Sequence, residues 1–200
     1  MSATKLPRSF YARHAVDVAR DLLGKLLVRS LPEGVLEGRI VETEAYTGTN
    51  DPGSHAYRGP TPRNQVMFGP AGYLYVYLSY GLHYCMNVVT DDPGMAGAVL
   101  VRALEPVGGL DVMEQNRKGR PRAELLNGPG KICQAYHISR EQNGTDLESS
   151  DIWIAHDEFQ VNSVRVGARV GLTDGAGLPY RFSLDGSPWI SRGKPRKSRV

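Results

Sequence analysis

The chain has 200 residues and a mass of 21.9 kDa, with 40% hydrophobic residues, enough for one domain with a sizeable core and no need of a metal or disulfide staple. Lys and Arg number 24 against 21 Asp and Glu, but Arg192, Lys194, Arg196, Lys197 and Arg199 form a basic run with no acid after Asp185. Without those five the count is 19 against 21, or −2, which excludes a uniformly basic body and leaves local patches only, such as Arg117, Lys118, Arg120 and Arg122.

In chain order, Ala15, Val18, Ala19, Leu22 and Leu23 recur at helical spacing, with Gly24 where a helix would stop, so one amphipathic helix is expected to open the fold. Lys25 to Ser30 reads as a strand, Pro32-Glu33-Gly34 as a turn and Val35 to Tyr46 as a long strand. On that strand Ile40, Glu42, Glu44 and Tyr46 share one parity; carboxylates among apolar strand residues are costly unless exposed or used. Thr47 to Gly72, rich in Gly, Pro, Asn and Asp, reads as a long ordered loop.

Gly72 to Val89 packs five of the ten tyrosines into one expected β-hairpin. Tyr73, Tyr75 and Tyr77 alternate with Leu74, Val76 and Leu78, which puts phenols on one face and aliphatics on the other. Tyr73 and Tyr75 are expected as half-buried sheet surface. Tyr80 falls at the turn beside Gly81, where a tyrosine has little to bury against and is shaped to wedge into something flat and stacked, such as a base step. For Tyr77 and Asn87 to share a sheet face, facing residue numbers must sum to an even value, so the loop must hold three or five residues centred on Tyr80 or Gly81.

Ala98 to Leu104 follows as a strand carrying Arg102, whose charge cannot be shed and needs a partner. Leu110 to Asn116 and Pro129 to Tyr136 read as helices, the second with Pro in its first turn. Strands are expected near Ile152 to Ala155, Ser163 to Leu172 and Tyr180 to Leu184. The fold class is α+β: a single domain over 1–200 with a curved, mainly antiparallel, open barrel-like sheet, surrounding helices, a protruding hairpin and a basic, disordered tail at 192–200.

Cys85 and Cys133, far apart, are expected to be reduced, buried and inert. No apolar run reaches membrane-spanning length and Met1 to Arg8 has no signal-peptide core, so a cytoplasmic location with no membrane partner is expected. His83, His137 and His156 lack the close paired spacing of a metal site.

Glu42 and Glu44 near Tyr46, His55 and Arg102 are what one would assemble to orient or deprotonate a water beside a bound flat molecule. Parity does not choose between the two carboxylates, and a cross-strand Glu–Arg pair can equally be structural. Arg102 and Glu105, three apart, fall on opposite faces, so the expected partner of Arg102 is Glu44.

The segments Ile40-Val41-Glu42-Thr43-Glu44-Ala45-Tyr46, His55, Thr61-Pro62-Arg63-Asn64, Leu74-Tyr75-Val76-Tyr77, Tyr80-Gly81, Cys85-Met86-Asn87, Leu100-Val101-Arg102-Ala103-Leu104-Glu105-Pro106, Gly128-Pro129, Lys131 and Gly186-Ser187-Pro188-Trp189 occur in one order along most of the chain. Together they closely resemble the alkyladenine (3-methyladenine), or methylpurine-DNA, glycosylase family. The resemblance implies a monofunctional enzyme that excises alkylated or deaminated purines from double-stranded DNA, initiating base excision repair, as a monomer needing no metal or organic cofactor. It assigns Glu44 as general base, with Arg102 and the main-chain carbonyl of Val170 holding the attacking water. Tyr46, His55 and Tyr77 become the walls that stack on the flipped base, Asn87 the floor that clashes with the amine of normal guanine, and Tyr80 the residue that fills the duplex gap. It also implies a cytoplasmic, bacterial-type protein, nucleoid-associated when engaged on DNA.

Two positions depart from the family pattern. Pro60 stands where many relatives have Arg, which removes an expected phosphate contact, and Leu82 replaces the common methionine with similar volume. A non-catalytic lesion-binding protein would keep Tyr80 and the aromatic walls without needing Glu44 and Arg102; a metal-dependent hydrolase would need ligand spacing that is absent.

Overall fold

The structure, a computed structural model, describes residues 3–193. The expected basic tail therefore lies, from residue 194 on, outside the described residues. Nine antiparallel strands form one sheet that does not close into a barrel, with four α-helices around it, in agreement with the expected α+β class. The strands are β1 (Thr4–Lys5), β2 (Leu26–Leu31), β3 (Gly34–Thr47), β4 (Leu74–Ser79), β5 (His83–Thr90), β6 (Gly97–Gly108), β7 (Ile152–His156), β8 (Val164–Gly167) and β9 (Arg181–Leu184). They run in the order β1-β7-β2-β3-β6-β5-β4, with β9 paired to both β3 and β8.

The opening differs from expectation, since β1 and the short helix α1 (Arg8–Tyr11) precede the amphipathic helix α2 (Ala15–Asp21). Ala15, Val18, Ala19 and Leu22 of α2 face the main core. Burying a side chain such as Leu22 contributes about 1.5–3 kcal/mol. Gly24 then ends the run with φ 81°, donating its N–H to the Ile40 carbonyl at 2.8 Å. A Cβ on Gly24 would also sit 2.8 Å from Val161 Cγ2, so both backbone and space require glycine there. Helices α3 (Leu110–Asn116) and α4 (Pro129–Ala135) fall where the pattern placed them.

Strand β3 is the axis of the sheet. Its first half pairs with β2 and its second half, from Glu42 to Glu44, with β9, while β6 runs along the other edge throughout. The β3–β6 register passes from Ile40↔Leu104 through Glu42↔Ala103 to Thr43↔Val101, an irregularity that leaves Arg102 without a facing β3 residue. Bulges of this kind re-aim side chains.

The strand expected from Ser163 to Leu172 is shorter. Only Val164–Gly167 pairs with β9; beyond it Arg169 turns inward to a buried partner, Asp51, and the chain leaves the ladder. The hairpin has the expected odd loop: facing pairs run from Leu74↔Val88 to Ser79↔His83, leaving the three residues Tyr80–Leu82 at the tip. Tyr75 also departs from expectation. It is buried in a second, smaller cluster with Met67, Val89 and Ala98, because the loop from Thr47 to Gly72 folds over that face of the sheet.

Candidate active site

Glu42 and Glu44 are both fully buried on one face of β3, and the irregularity in β6 aims Arg102 between them. Arg102 Nε donates to Glu42 Oε1 at 3.2 Å and Nη1 to Glu44 Oε2 at 3.1 Å. The expected Arg102–Glu44 contact is thus direct, and Glu42 shares the cation.

Their other partners separate the two carboxylates. Glu42 Oε1 also accepts from Arg181 Nε at 2.6 Å and Ser191 Oγ at 3.0 Å, and its Oε2 accepts from the Ser191 N–H at 2.6 Å. With Arg102 that makes four donors, the full capacity of a carboxylate. Glu44 Oε2 accepts from Arg102 and from the Tyr46 hydroxyl at 3.0 Å, whereas Oε1 accepts only from the Val170 N–H at 2.6 Å. Glu44 therefore keeps one lone pair on Oε1. Burial pushes its carboxyl above the ordinary value, against the opposing pulls of Arg102, the Val170 N–H and Tyr46. Val170 was expected to contribute its carbonyl; the contact it makes to Glu44 is through its amide.

Beside this pair lies a small aromatic cavity of about 50 Å³, lined by Tyr46, His55, Met67, Tyr75, Tyr77, Asn87 and Leu172 among others. Past Tyr46, His55, Tyr77 and Leu172 it opens into a cleft of about 420 Å³ that Arg102, Val170 and the hairpin-tip Tyr80 also bound. The expected wall residues Tyr46, His55 and Tyr77 and the expected floor residue Asn87 are thus brought together. His55 meets Tyr77 edge-on with ring centres 4.5 Å apart, and its Nδ1 is 3.0 Å from the Tyr75 hydroxyl. Burial, aided by Arg63, holds the His55 pKa below its usual value, so the imidazole is neutral at neutral pH. Asn87 donates from Nδ2 to the Tyr75 carbonyl at 3.1 Å, which fixes the direction its amide faces.

The loop carrying His55 is ordered by two side chains. Asn64 is buried and donates Nδ2 to the carbonyls of His55 (2.8 Å) and Gly59 (3.1 Å), while its Oδ1 accepts the Thr61 N–H at 2.6 Å, which gives the Thr61-Pro62-Arg63-Asn64 motif a structural purpose. Asp51 does the same for Thr47 to Gly53. Tyr80 is 82% exposed at the hairpin tip, with φ 51° in the left-handed region.

Sequence reasoning missed Tyr75 as a lining residue, Arg181 and Ser191 as the partners that occupy Glu42, and the Asp51–Arg169 pair. Only Tyr75 had a local signal, its parity with Tyr77. Cys85 and Cys133 are free and buried, and burial raises both thiols, as expected of unreactive cysteines. Among the described residues no group of three or more His, Cys, Asp and Glu is placed to hold a metal ion, and no helix is long and apolar enough to cross a membrane.

The family model described as Methylpurine-DNA glycosylase (MPG) matches residues 9–188. A protein of Carboxydothermus hydrogenoformans, provisionally named 3-methyladenine DNA glycosylase, is 50% identical over 189 residues, covering 94% of this chain and 98% of the relative. One from Methanoculleus marisnigri with the same provisional name is 50% identical over 191 residues, again 94% and 98%. One from Streptomyces avermitilis, named likewise, is 43% identical over 206 residues, covering 98% and 97%.

Proposed function

The chain belongs to the methylpurine-DNA glycosylase family, and on that premise we propose that it extrudes damaged purines from duplex DNA and hydrolyses their N-glycosidic bond with a water that Glu44 deprotonates. Membership makes it a DNA glycosylase for alkylated purines, a hydrolase of N-glycosyl bonds. The observation that carries the finer reading is the free lone pair on Glu44 Oε1, next to three partners, Tyr46, Arg102 and Val170, that all line the cleft.

A base inside the stack is out of reach, so it must leave the duplex at a cost of roughly a few kcal/mol, least for a damaged or mispaired one. Aromatic walls recover part of that, since stacking contributes ~1–3 kcal/mol per base. The present cavity of about 50 Å³ is too small for a purine, so the Leu172 side of the pocket must give way as the base enters. Ring-nitrogen methylation leaves the purine cationic, and phenol faces attract such a cation while the neutral His55 does not repel it. The water oxygen then bonds to C1′ of the sugar, its proton passes to Glu44 Oε1, and the electrons of the broken glycosidic bond return to the departing purine. Arg102 and the Val170 carbonyl would hold the water.

Duplexes each carrying one methylated, etheno or deaminated purine test the reading directly. Release of a free alkylated base with an intact strand at the abasic site is the expected result; no release from any of them would remove the enzymatic reading.

Because the raised Glu44 carboxyl must be ionised to accept a proton, the rate of base release should fall on the acid side with a midpoint above the ordinary glutamate value of 4.5. A pH–rate profile on a methylated duplex whose acid limb lies at or below that value would contradict the assignment.

Tyr80 is read as the wedge that fills the gap left by the flipped base. Tyr80→Ser should weaken binding to damaged duplex by ~1–3 kcal/mol, the worth of one stacking contact. Thermal stability should hardly move, since an exposed tip contributes little to the core. Equal affinity of the two proteins in a titration against the same lesion would rule the wedge out.

A further inference from the structure

Asp51 and Arg169 are paired with both side chains fully buried. Arg169 Nη1 and Nη2 reach the two Asp51 oxygens at 2.5 and 2.6 Å, and the same nitrogens donate to the Ala45 carbonyl at 2.9 Å and the Gly175 carbonyl at 3.0 Å. Asp51 in turn accepts the N–H of Thr47 at 3.2 Å and of Gly53 at 2.9 Å. The guanidinium carbon lies 4.6 Å from the centre of the Tyr46 ring. A Cβ at Gly53 or Gly175 would come within 2.8 or 2.9 Å of Nη2, so the cation sits in a slot only glycines allow.

A pair of this kind is a poor way to stabilise a fold. Removing each charge from water costs several kcal/mol, and a well-packed apolar pair often serves as well. Here the Arg169 Nε is also buried with no partner among the described residues. What an apolar pair cannot do is hold four backbone groups and one ring in a single register. Those groups belong to three segments that meet at the site: the end of β3 with Ala45 and Tyr46, the loop from Thr47 through Gly53 toward His55, and the segment in which Arg169 directly precedes Val170.

We propose that the Asp51–Arg169 pair is a positioning device for the reaction: it sets Tyr46 and Val170, two of the three donors to Glu44, and through them the placement and basicity of the Glu44 carboxylate. The inference rests on the reading of Glu44 as the base. Glu44 is faced by Arg102 from β6, by Glu42 and Tyr46 from its own strand, by Tyr77 and Cys85 from the hairpin, and by Arg169 from the segment after β8. Arg169 is the one cation there that touches neither glutamate directly, so its removal changes the field on Glu44 without breaking a bond to it. Lysine cannot replace it, because a single ammonium lacks the planar fork that spans Asp51 and two carbonyls and stacks on Tyr46.

The test compares wild type, Arg169→Lys and Arg169→Met by thermal unfolding, affinity for a duplex carrying a reduced abasic site, single-turnover release of a methylated purine, and ¹³C NMR titration of the Glu44 carboxyl. For Arg169→Lys the release rate should fall about 10²-fold, as a misplacement of the reacting groups near 1 Å would produce. Affinity for the abasic duplex, which offers no base to the pocket, should stay within about threefold. In Arg169→Met the Glu44 titration should move upward, a readout that needs no activity. If Arg169→Met does not fold, Arg169→Lys still decides through the split between release and affinity. Release at the wild-type rate in Arg169→Lys, loss of release only in proportion to loss of folded protein, or an unmoved Glu44 titration in Arg169→Met would each overturn the proposal. A wild type that releases no base while its Glu44 titration still responds to residue 169 would overturn the functional reading and leave the coupling standing.

Discussion

Glu44→Gln should lower single-turnover release of a methylated purine by about 10³-fold, within the range a general base contributes. Affinity for the damaged duplex should stay near wild type, because the amide keeps the shape and its Oε1 can still accept the Val170 N–H at the position where that contact is 2.6 Å. What is lost is the lone pair's ability to take a proton from water. Glu42→Gln should do the reverse. Every lone pair of Glu42 already holds a donor, from Arg102, Arg181 and Ser191, so an NH₂ group must face another donor whichever way the amide turns. A buried group left unsatisfied costs about 1–3 kcal/mol. At this chain length that lowers the unfolding temperature by about 2–4 °C per kcal/mol. Turnover per folded molecule should survive. Measuring release rate and unfolding temperature for both variants decides: if Glu42→Gln loses turnover with its stability intact while Glu44→Gln keeps turnover, the two roles have been assigned the wrong way round.

The largest loss of stability should come from Arg102→Met. The guanidinium is the one side chain shared by two fully buried carboxylates, and its deletion leaves both with less compensation. Breaking a buried ion pair from one side costs about 3–5 kcal/mol. Glu42 retains Arg181 and Ser191, so the deficit falls mainly on Glu44, which keeps only the Tyr46 hydroxyl and the Val170 N–H. Arg102 is the largest of the influences that lower the Glu44 pKa, so its removal should raise a carboxyl that burial has already raised. A group whose pKa is higher folded than unfolded adds stability that is complete below the unfolded value and lost as pH rises through the folded one. The deficit of Arg102→Met should therefore be smaller near pH 5 than near pH 8 in denaturant titrations. A deficit that grows as the pH falls would mean that Glu44 is not the carboxylate left exposed to the loss.

Much of the architecture was legible in the chain. Period-two alternation put Glu42, Glu44 and Tyr46 on one face of β3 and the phenols of Tyr75 and Tyr77 opposite the aliphatic face of β4, because strand geometry alone sends successive side chains to opposite sides. The same parity, applied across the hairpin, required the odd loop that the structure has at Tyr80–Leu82. The motif blocks were enough to name the family that the comparisons then gave. These are local properties, or consequences of a single pairing.

The choice between Glu42 and Glu44 was not local. It depends on which donors reach each carboxylate, and those come from Arg102, Val170, Arg181 and Ser191, residues 58 to 149 positions away. Arg102 reaches both glutamates only because the β3–β6 register slips beside it. Tyr75 looked like sheet surface until the loop from Thr47 to Gly72 closed over it, and the strand expected through Leu172 ended early because Arg169 found Asp51 118 residues away. Periodicity decides which face a side chain is on; only the packing of distant segments decides what it meets there, and with it whether a buried carboxylate is saturated or still free to take a proton.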